Sequence, residues 1–320
     1  MKLIIQIPCF NEEETLPETV ADLPREIDGI DEIEYLIIND GSTDDTVGAA
    51  KRSGVHHIVS YAKNKGLAGA FMTGIDACLR LGADIIVNTD ADNQYCGADI
   101  EKLIRPILAG EAEMVIGERP ISDIEDFSPL KKKLQKLGSF VVRKVSGTSV
   151  PDAPSGFRAY TRETAMKLNV VSRYTYTLET IIQAGDKNIA LTSVPIKTNP
   201  KIRKSRLFKS MGGYIKRSIG TIFRIFTMYK PLKVFAAIGG VMFAGGVLIG
   251  IRFLAYYFAG NGSGHIQSLI LAAILLIMGF QTLTIGLLAD IISANRKLIE
   301  DVQYRVRRLD YEKDNGDKEK

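Results

Sequence analysis

The sequence predicts an α/β domain with a mostly parallel sheet, followed by an interfacial helix and a two-helix transmembrane hairpin. Three observations predict it. Over the first 200 residues, short β-branched runs alternate with helical patterns, as expected of a sheet covered by helices on both faces. After Pro200 come two long runs almost free of charge. Between them and the first part lies a strongly basic strip.

In chain order, the strand candidates are Lys2–Ile7, Tyr35–Ile38, His57–Val59, Asp84–Val87, Glu113–Ile116 and Ile189–Val194. Helical patterns fall between them, notably Gly66–Leu81 and Ala98–Leu108. Val234–Ile251 is 18 residues without a charge, roughly 27 Å as a helix. It reaches membrane length if it continues past Arg252 to Ala259. Ile266–Ala289 holds 24 uncharged residues, roughly 36 Å against a hydrocarbon core of about 30 Å. Met1-Lys2 leads straight into Leu3–Ile7, too short an apolar stretch for a signal sequence, so none is expected. The expected domains are 1–206, a catalytic body; 207–230, an amphipathic interfacial helix; 231–293, two transmembrane helices; and 294–320, a charged tail.

The net charge of +4 hides a division. Residues 201–233 hold ten Lys or Arg and no acid, 234–289 add only Arg252, and 290–320 balance at eight against eight. The first 200 residues therefore carry 4 − 10 − 1 = −7. An acidic body with a basic strip excludes general nucleic-acid binding, where basic charge covers the fold. It fits instead one face turned to anionic membrane lipids. In the strip, Phe208, Met211, Ile215, Ile219, Ile222 and Phe226 recur at helical spacing between basic residues, the pattern of a helix lying on a membrane. The linker Asn261–Gly264 has no Lys or Arg, whereas Lys230, Lys233, Arg296 and Lys297 flank the outer ends of the two runs. The positive-inside rule then predicts a multi-pass cell-membrane protein with its N-terminal body in the cytoplasm. Three scattered cysteines form no disulfide or zinc pattern, which suits a reducing compartment. Five glycines in the first run (239, 240, 245, 246 and 250) serve either close packing within the hairpin or a homo-oligomer.

Four polar clusters follow predicted strands, where open α/β sheets place their ligands. The first is Pro8-Cys9-Phe10-Asn11-Glu12 and the second Asn39-Asp40-Gly41-Ser42-Thr43-Asp44. Asp40 is placed to accept hydrogen bonds from a base or ribose, and Gly41 to turn the chain. The third is Asn88-Thr89-Asp90-Ala91-Asp92-Asn93-Gln94. Two carboxylates two residues apart point to opposite faces of a strand, but just past a strand end they can converge on one hard cation, Mg²⁺ or Mn²⁺. The fourth, Gly117-Glu118-Arg119, offers an arginine for a phosphate.

The ordered set IPCFNEEE, NDGSTDD, NKGLAGAFMTGID, NTDADNQ, GER and Asp152-Ala-Pro-Ser-Gly-Phe-Arg158 resembles family 2 glycosyltransferases of the polyprenyl-phosphate branch. That branch contains dolichyl-phosphate mannose synthase and the bacterial undecaprenyl-phosphate sugar transferases. The resemblance covers residues 1–206 and implies a Rossmann-like glycosyltransferase A fold. It also implies inverting transfer from a UDP- or GDP-linked sugar to a polyprenyl phosphate. By the same resemblance Pro8, Asn11 and Glu12 lie near the nucleotide, Asp40 meets the base, and Asp90 faces the diphosphate. Asp92 and Gln94, with Asp90, match metal ligands. Arg119, Ser155 and Arg158 border the acceptor phosphate, with Lys132 in a further basic run. A late basic motif survives only in shortened form as Arg203-Lys204-Ser205-Arg206, bringing Arg203, Ser205 and Arg206 to the acceptor. Asp92, Arg119 and Arg158 are the expected catalytic group. Glu179 is the one late carboxylate that could serve as a base, but its neighbours Leu178, Ile181 and Ile182 suggest a helix and favour a supporting or buried-pair role.

Two alternatives stand beside this reading. A processive polysaccharide synthase shares the early motifs but carries a Trp-containing motif, and this chain has no Trp. A membrane-tethered, non-catalytic nucleotide-sugar sensor would show degraded metal ligands, whereas Asp90, Asp92 and Gln94 are intact.

Overall fold

The computed structural model describes residues 1–120, 129–171, 175–200, 219–220, 223–224, 226–260 and 262–316, without the side chains of 129–137, 262–263 and 312–316. These residues group into two compact units. One is Met1–Ile222 with Val302–Lys320, and the other is Phe223–Asp301.

The first unit is a seven-stranded sheet: β1 (Lys2–Cys9), β2 (Glu32–Asn39), β3 (His57–Ser60), β4 (Ile85–Asn88), β5 (Met114–Glu118), β6 (Arg158–Thr161) and β7 (Leu191–Pro195). The spatial order is β3-β2-β1-β4-β6-β5-β7. All pairings are parallel except those of β6, which runs antiparallel to both β4 and β5. Its helices are α1 (Leu16–Asp22), α2 (Thr46–Arg52), α3 (Leu67–Arg80), α4 (Ile100–Leu108), α5 (Pro129–Ser146), α6 (Arg162–Lys167) and α7 (Thr177–Asp186).

The central strands are apolar at nearly every position because both faces are covered. Ile4, Leu36, Ile38 and Ile86 pack on one side with Phe71, Ile75 and Leu79 of α3. Leu3, Ile5, Ile7, Ile37 and Val87 pack on the other with Leu103 and Ile104 of α4. All six strand candidates are present. The seventh, β6, was not expected: Arg158-Ala-Tyr-Thr is four residues long and opens on a charged side chain, so it carries no strand pattern of its own. Its place is fixed by tertiary pairing, Arg158 opposite Asn88 and Ile116. The Asp152–Phe157 turn before it therefore lies at the carboxyl edge of β4 and β5.

The second unit is a hairpin. Helix α8 (Pro231–Phe258) starts on a proline at its first position and runs 28 residues with mean hydropathy 2.3 in its apolar window. Helix α9 (Ile266–Gly316) is a single helix of 51 residues. Both are long and apolar enough to cross a membrane. Two of the five glycines serve the hairpin itself. A Cβ on Gly239 would lie 2.9 Å from the Gly279 carbonyl, and one on Gly246 would lie 3.0 Å from the Leu276 backbone nitrogen. Gly240 and Gly250 meet no neighbour within 4 Å.

The far end of α9 belongs to the first unit. Tyr311 is 2% exposed, and its hydroxyl donates to Asp76 on α3 at 2.7 Å. Tyr304 donates to Glu163 at 2.5 Å, and Arg307 donates to the Met166 and Leu168 carbonyls at 3.2 and 2.8 Å. The stretch expected as a charged tail is helical through residue 316 and packs on α3 and α6. Most of the expected interfacial helix, 207–230, lies outside the described residues.

Candidate active site

The loops after β1, β2 and β4 meet at one edge of the sheet. Asn11 has a positive φ of 58°, which turns the chain back after β1. Its side-chain oxygen accepts from the Thr43 N–H at 2.8 Å, and its own N–H donates to Ser42 Oγ at 3.0 Å. Glu12 is buried, accepts from the Thr15 hydroxyl at 2.8 Å, and donates through its N–H to Thr46 Oγ1 at 2.9 Å. The first two clusters are thus laced into one wall, with Pro8 at the strand end beside Ile38.

Asp40 is 3% exposed, and both of its oxygens are engaged. They accept from the backbone N–H groups of Lys65 and Gly66 at 2.7 and 2.9 Å. Its visible task is to anchor the turn that opens α3. Gly41, at φ +71°, is needed there, because a Cβ would stand 2.7 Å from the Asn64 nitrogen.

After β4, Asn93 turns with a positive φ of 52°. Gln94 donates its N–H to Asp92 Oδ1 at 3.2 Å and accepts from the Asn199 N–H at 2.9 Å. Burial and the neighbouring Asp92 charge push the Asp90 carboxyl up to about 7, with Arg119 opposing. A buried carboxyl held up by a neighbouring carboxylate fits a seat for a divalent cation, whose charge would offset the repulsion. Among the described residues, no group of three or more His, Cys, Asp or Glu forms a ready cage. Gln94 and oxygens from outside the protein would complete the shell, the usual habit of Mg²⁺.

The Asp152–Phe157 turn is held against this pair by residues whose roles were not expected. Gly156 donates its N–H to the Tyr95 hydroxyl at 3.0 Å. Its carbonyl accepts from Asn88 Nδ2 at 2.9 Å and from the Tyr176 hydroxyl at 3.2 Å. Asn88 is further bonded to Gln6 at 2.9 Å inside the sheet. Tyr95 stacks on Phe157 with centroids 5.0 Å apart, and Tyr176 stacks on Phe71 at 3.9 Å. A Cβ on Gly156 would lie 3.2 Å from the Asp90 carboxylate, so the turn and the acidic pair are in contact distance. Ser155 is wholly buried there, and its hydroxyl has no hydrogen-bond partner among the described residues.

Arg119 is brought to the same edge, paired at two points with Asp152. Arg158 is not. It has no exposed surface and spends its donors on the carbonyls of Ser155, Thr177 and Ala153 and on the Thr180 hydroxyl, at 2.6 to 2.9 Å. In this arrangement Arg158 is an interior brace for the turn. Glu179 is also withdrawn, fully buried with both oxygens accepting from the Val171 N–H at 3.2 Å. Arg203, Ser205, Arg206 and the Lys132 side chain lie outside the described residues. Of the supporting residues, Asp152 stood at the head of a recognised motif and carried some signal. Tyr95 and Tyr176 carried none.

A mostly parallel sheet with one reversed strand, and an acidic pair at its carboxyl edge, define the class: a glycosyltransferase of the GT-A-like α/β type. The chain belongs to glycosyl transferase family 2, whose profile matches residues 4–168, more than half its length. It is 33% identical over 214 residues to the UDP-N-acetylglucosamine–dolichyl-phosphate N-acetylglucosaminyltransferase of Methanococcus voltae, covering 60% of this chain and 83% of that one. Likeness to the undecaprenyl-phosphate 4-deoxy-4-formamido-L-arabinose transferase of Photorhabdus laumondii is 24% over 327 residues, covering 96% of this chain and 92% of that one. In fold it is similar to glucosyl-3-phosphoglycerate synthase from Mycobacterium tuberculosis, solved with Mn²⁺, UDP and product. The TM-score is 0.56 at 21% identity, over 70% of this chain and 79% of that one.

Proposed function

We propose that this enzyme transfers a sugar from a UDP- or GDP-sugar to a polyprenyl phosphate at a membrane surface, with inversion at the anomeric carbon. The observation that carries this reading is the union, in one chain, of the acidic strand-end site with two helices of membrane length. The names of its relatives, which act on dolichyl and undecaprenyl phosphates, support it.

The chemistry asks little of the protein as a base. A phosphate monoester, with a second pKa near about 6, is largely ionised at neutral pH and attacks without losing a proton to a side chain. Glu179, the one late carboxylate considered for that task, is sealed away. What the site must supply is charge. Asp90, Asp92 and Gln94 would hold Mg²⁺ or Mn²⁺, whose charge neutralises the departing diphosphate. Arg119, only 10% exposed and held through Nε and Nη2 by Asp152, would supply positive charge for the acceptor phosphate. Asn11 and Glu12 shape the nucleotide wall, and Asp40 holds the turn at its far side. The catalytic body would face the cytoplasm, because the basic residues flank the outer ends of both apolar helices.

The test is a screen of radiolabelled UDP- and GDP-sugars against polyprenyl phosphate and free polyprenol, followed by extraction of the lipid product. Transfer to the phosphate alone is expected. Equal transfer to the free alcohol would overturn the base-free mechanism, and no transfer with any donor would favour the sensor.

A further inference from the structure

The loop that follows β4 is held at both ends and at its middle. The Ala91 carbonyl accepts from the Thr19 hydroxyl of α1 at 3.0 Å, and the Gly97 N–H donates to Asp22, the last residue of α1, at 2.6 Å. Between them Tyr95 forms an antiparallel bridge with Thr198, and Asn199 donates its N–H to the Gln94 carbonyl at 2.9 Å. Pro200 favours this clasp, because the residue before a proline is pushed to extended backbone. Burial alternates along the loop: Ala91, Asn93, Tyr95 and Gly97 are buried, whereas Asp92, Gln94 and Cys96 are half-buried. Two of the expected cation ligands thus share the open face, and Tyr95 turns inward. There it meets the Asp152–Phe157 turn. Its ring lies 9° from parallel with Phe157, and its hydroxyl accepts the Gly156 N–H at 3.0 Å. Tyr176, at the start of α7, donates its hydroxyl to the Gly156 carbonyl. Of these two hydroxyls, only that of Tyr95 belongs to the loop that carries Asp92 and Gln94.

We propose that Tyr95 is a positioning residue that joins the cation loop to the glycine turn and sets their separation. The proposal rests on the sugar-transfer reading for what each end holds: the departing diphosphate at the loop and the acceptor phosphate at the turn. Tyr95 acts through Gly156 rather than on either phosphate. Its ring is fixed by the stack on Phe157, and its backbone by the bridge to Thr198. The hydroxyl therefore reaches the turn from a loop pinned to α1 and to the chain after β7. Settling a metal and diphosphate on that loop steadies the turn through the same bond. The separation matters because a misplacement of about 1 Å costs roughly 100-fold in rate.

The test compares wild type, Tyr95→Phe and Tyr176→Phe as full-length protein in lipid nanodiscs. Each substitution removes one hydroxyl at Gly156 and keeps its ring. Hydrogen exchange at residues 152–157 is followed with and without Mn²⁺ and nucleotide, UDP and GDP in parallel. Mn²⁺ with nucleotide should slow that exchange in wild type and Tyr176→Phe but not in Tyr95→Phe, although calorimetry finds it bound to all three. The kinetic signature is a split. In Tyr95→Phe, kcat for transfer to polyprenyl phosphate falls roughly 10–100-fold, while the donor KM keeps its wild-type value. Slowing that persists in Tyr95→Phe, or is absent from wild type, would overturn the proposal, as would a wild-type kcat in Tyr95→Phe. Loss of donor affinity together with kcat would make Tyr95 a support of the fold and nothing more. If wild type transfers no sugar yet shows the exchange contrast, the transfer reading fails and the link between loop and turn stands.

Discussion

Arg119 grips Asp152 at two points, Nε to Oδ2 at 2.7 Å and Nη2 to Oδ1 at 3.0 Å, and Asp152 has no exposed surface. Removing either partner leaves a buried charge alone, which costs about 3–5 kcal/mol. Arg119→Ala therefore mixes a folding defect with a binding one. Arg119→Lys is cleaner, since it keeps the charge and loses the two-point fork. Its kcat/KM toward polyprenyl phosphate should fall roughly 10–150-fold, equivalent to about 1.5–3 kcal/mol for a charged hydrogen bond. Donor affinity, read by calorimetry, should barely move.

Asp92 is only half-buried and, among the described residues, accepts only from the Gln94 N–H, so Asp92→Asn should fold normally. Transfer should fall about 100-fold or more, the scale of losing one preorganised electrostatic group. Excess EDTA should abolish wild-type transfer. Full activity in EDTA would remove the cation from the mechanism.

Gly156→Ala introduces a methyl 3.1 Å from the Tyr176 hydroxyl and 3.2 Å from Asp90. The turn and the acidic pair cannot both keep their places. A stability loss of about 1–3 kcal/mol is expected from overpacking, with a larger proportional fall in kcat than in the melting temperature. Steady-state kinetics beside a thermal melt distinguishes the two.

Tyr311 fills a seat on α3, with the Arg80 and Arg162 guanidinium groups 5.5 and 6.0 Å from its ring centroid. Tyr311→Ala should destabilise the catalytic unit by about 3 kcal/mol, the low end for deleting a buried aromatic ring. A fragment ending near Pro200 should melt lower than the full chain. Equal melting would show that the α9 contact is idle.

Glu34 accepts from Lys2 at 2.8 Å and His57 at 3.0 Å. Burial raises its pKa, but the hydrogen bonds and charges of Lys2 and His57 outweigh that, and the carboxyl titrates below its usual range. Its contribution is therefore complete above the unfolded value of about 4.3 and is lost as pH falls through the lower folded value. Glu34→Gln should lower the melting temperature near neutrality, where the contribution is complete, and flatten the acid limb, so that the two curves converge below about pH 4.3.

Strands β1, β2 and β4 were legible because burial on both faces forces unbroken apolar runs. β6 was not, since only its neighbours make it a strand. The acidic pair and the glycine turn could be read from local spacing. The Arg119–Asp152 pair joins positions 33 residues apart, and no local pattern announces it. Arg158 shows the limit of motif reading: the residue type was recognised, but the carbonyls that enclose it come from Ala153, Ser155 and Thr177. Only the folded chain shows that they take up its donors.

The Tyr304, Arg307 and Tyr311 contacts also set an order of assembly. These residues are synthesised after both apolar helices, yet they complete a unit that begins at Met1. While the ribosome is still making the hairpin, the catalytic body lacks its last wedge. Its final consolidation waits for the second apolar helix to be made, so biogenesis couples the maturing of the enzyme to the completion of the apolar hairpin.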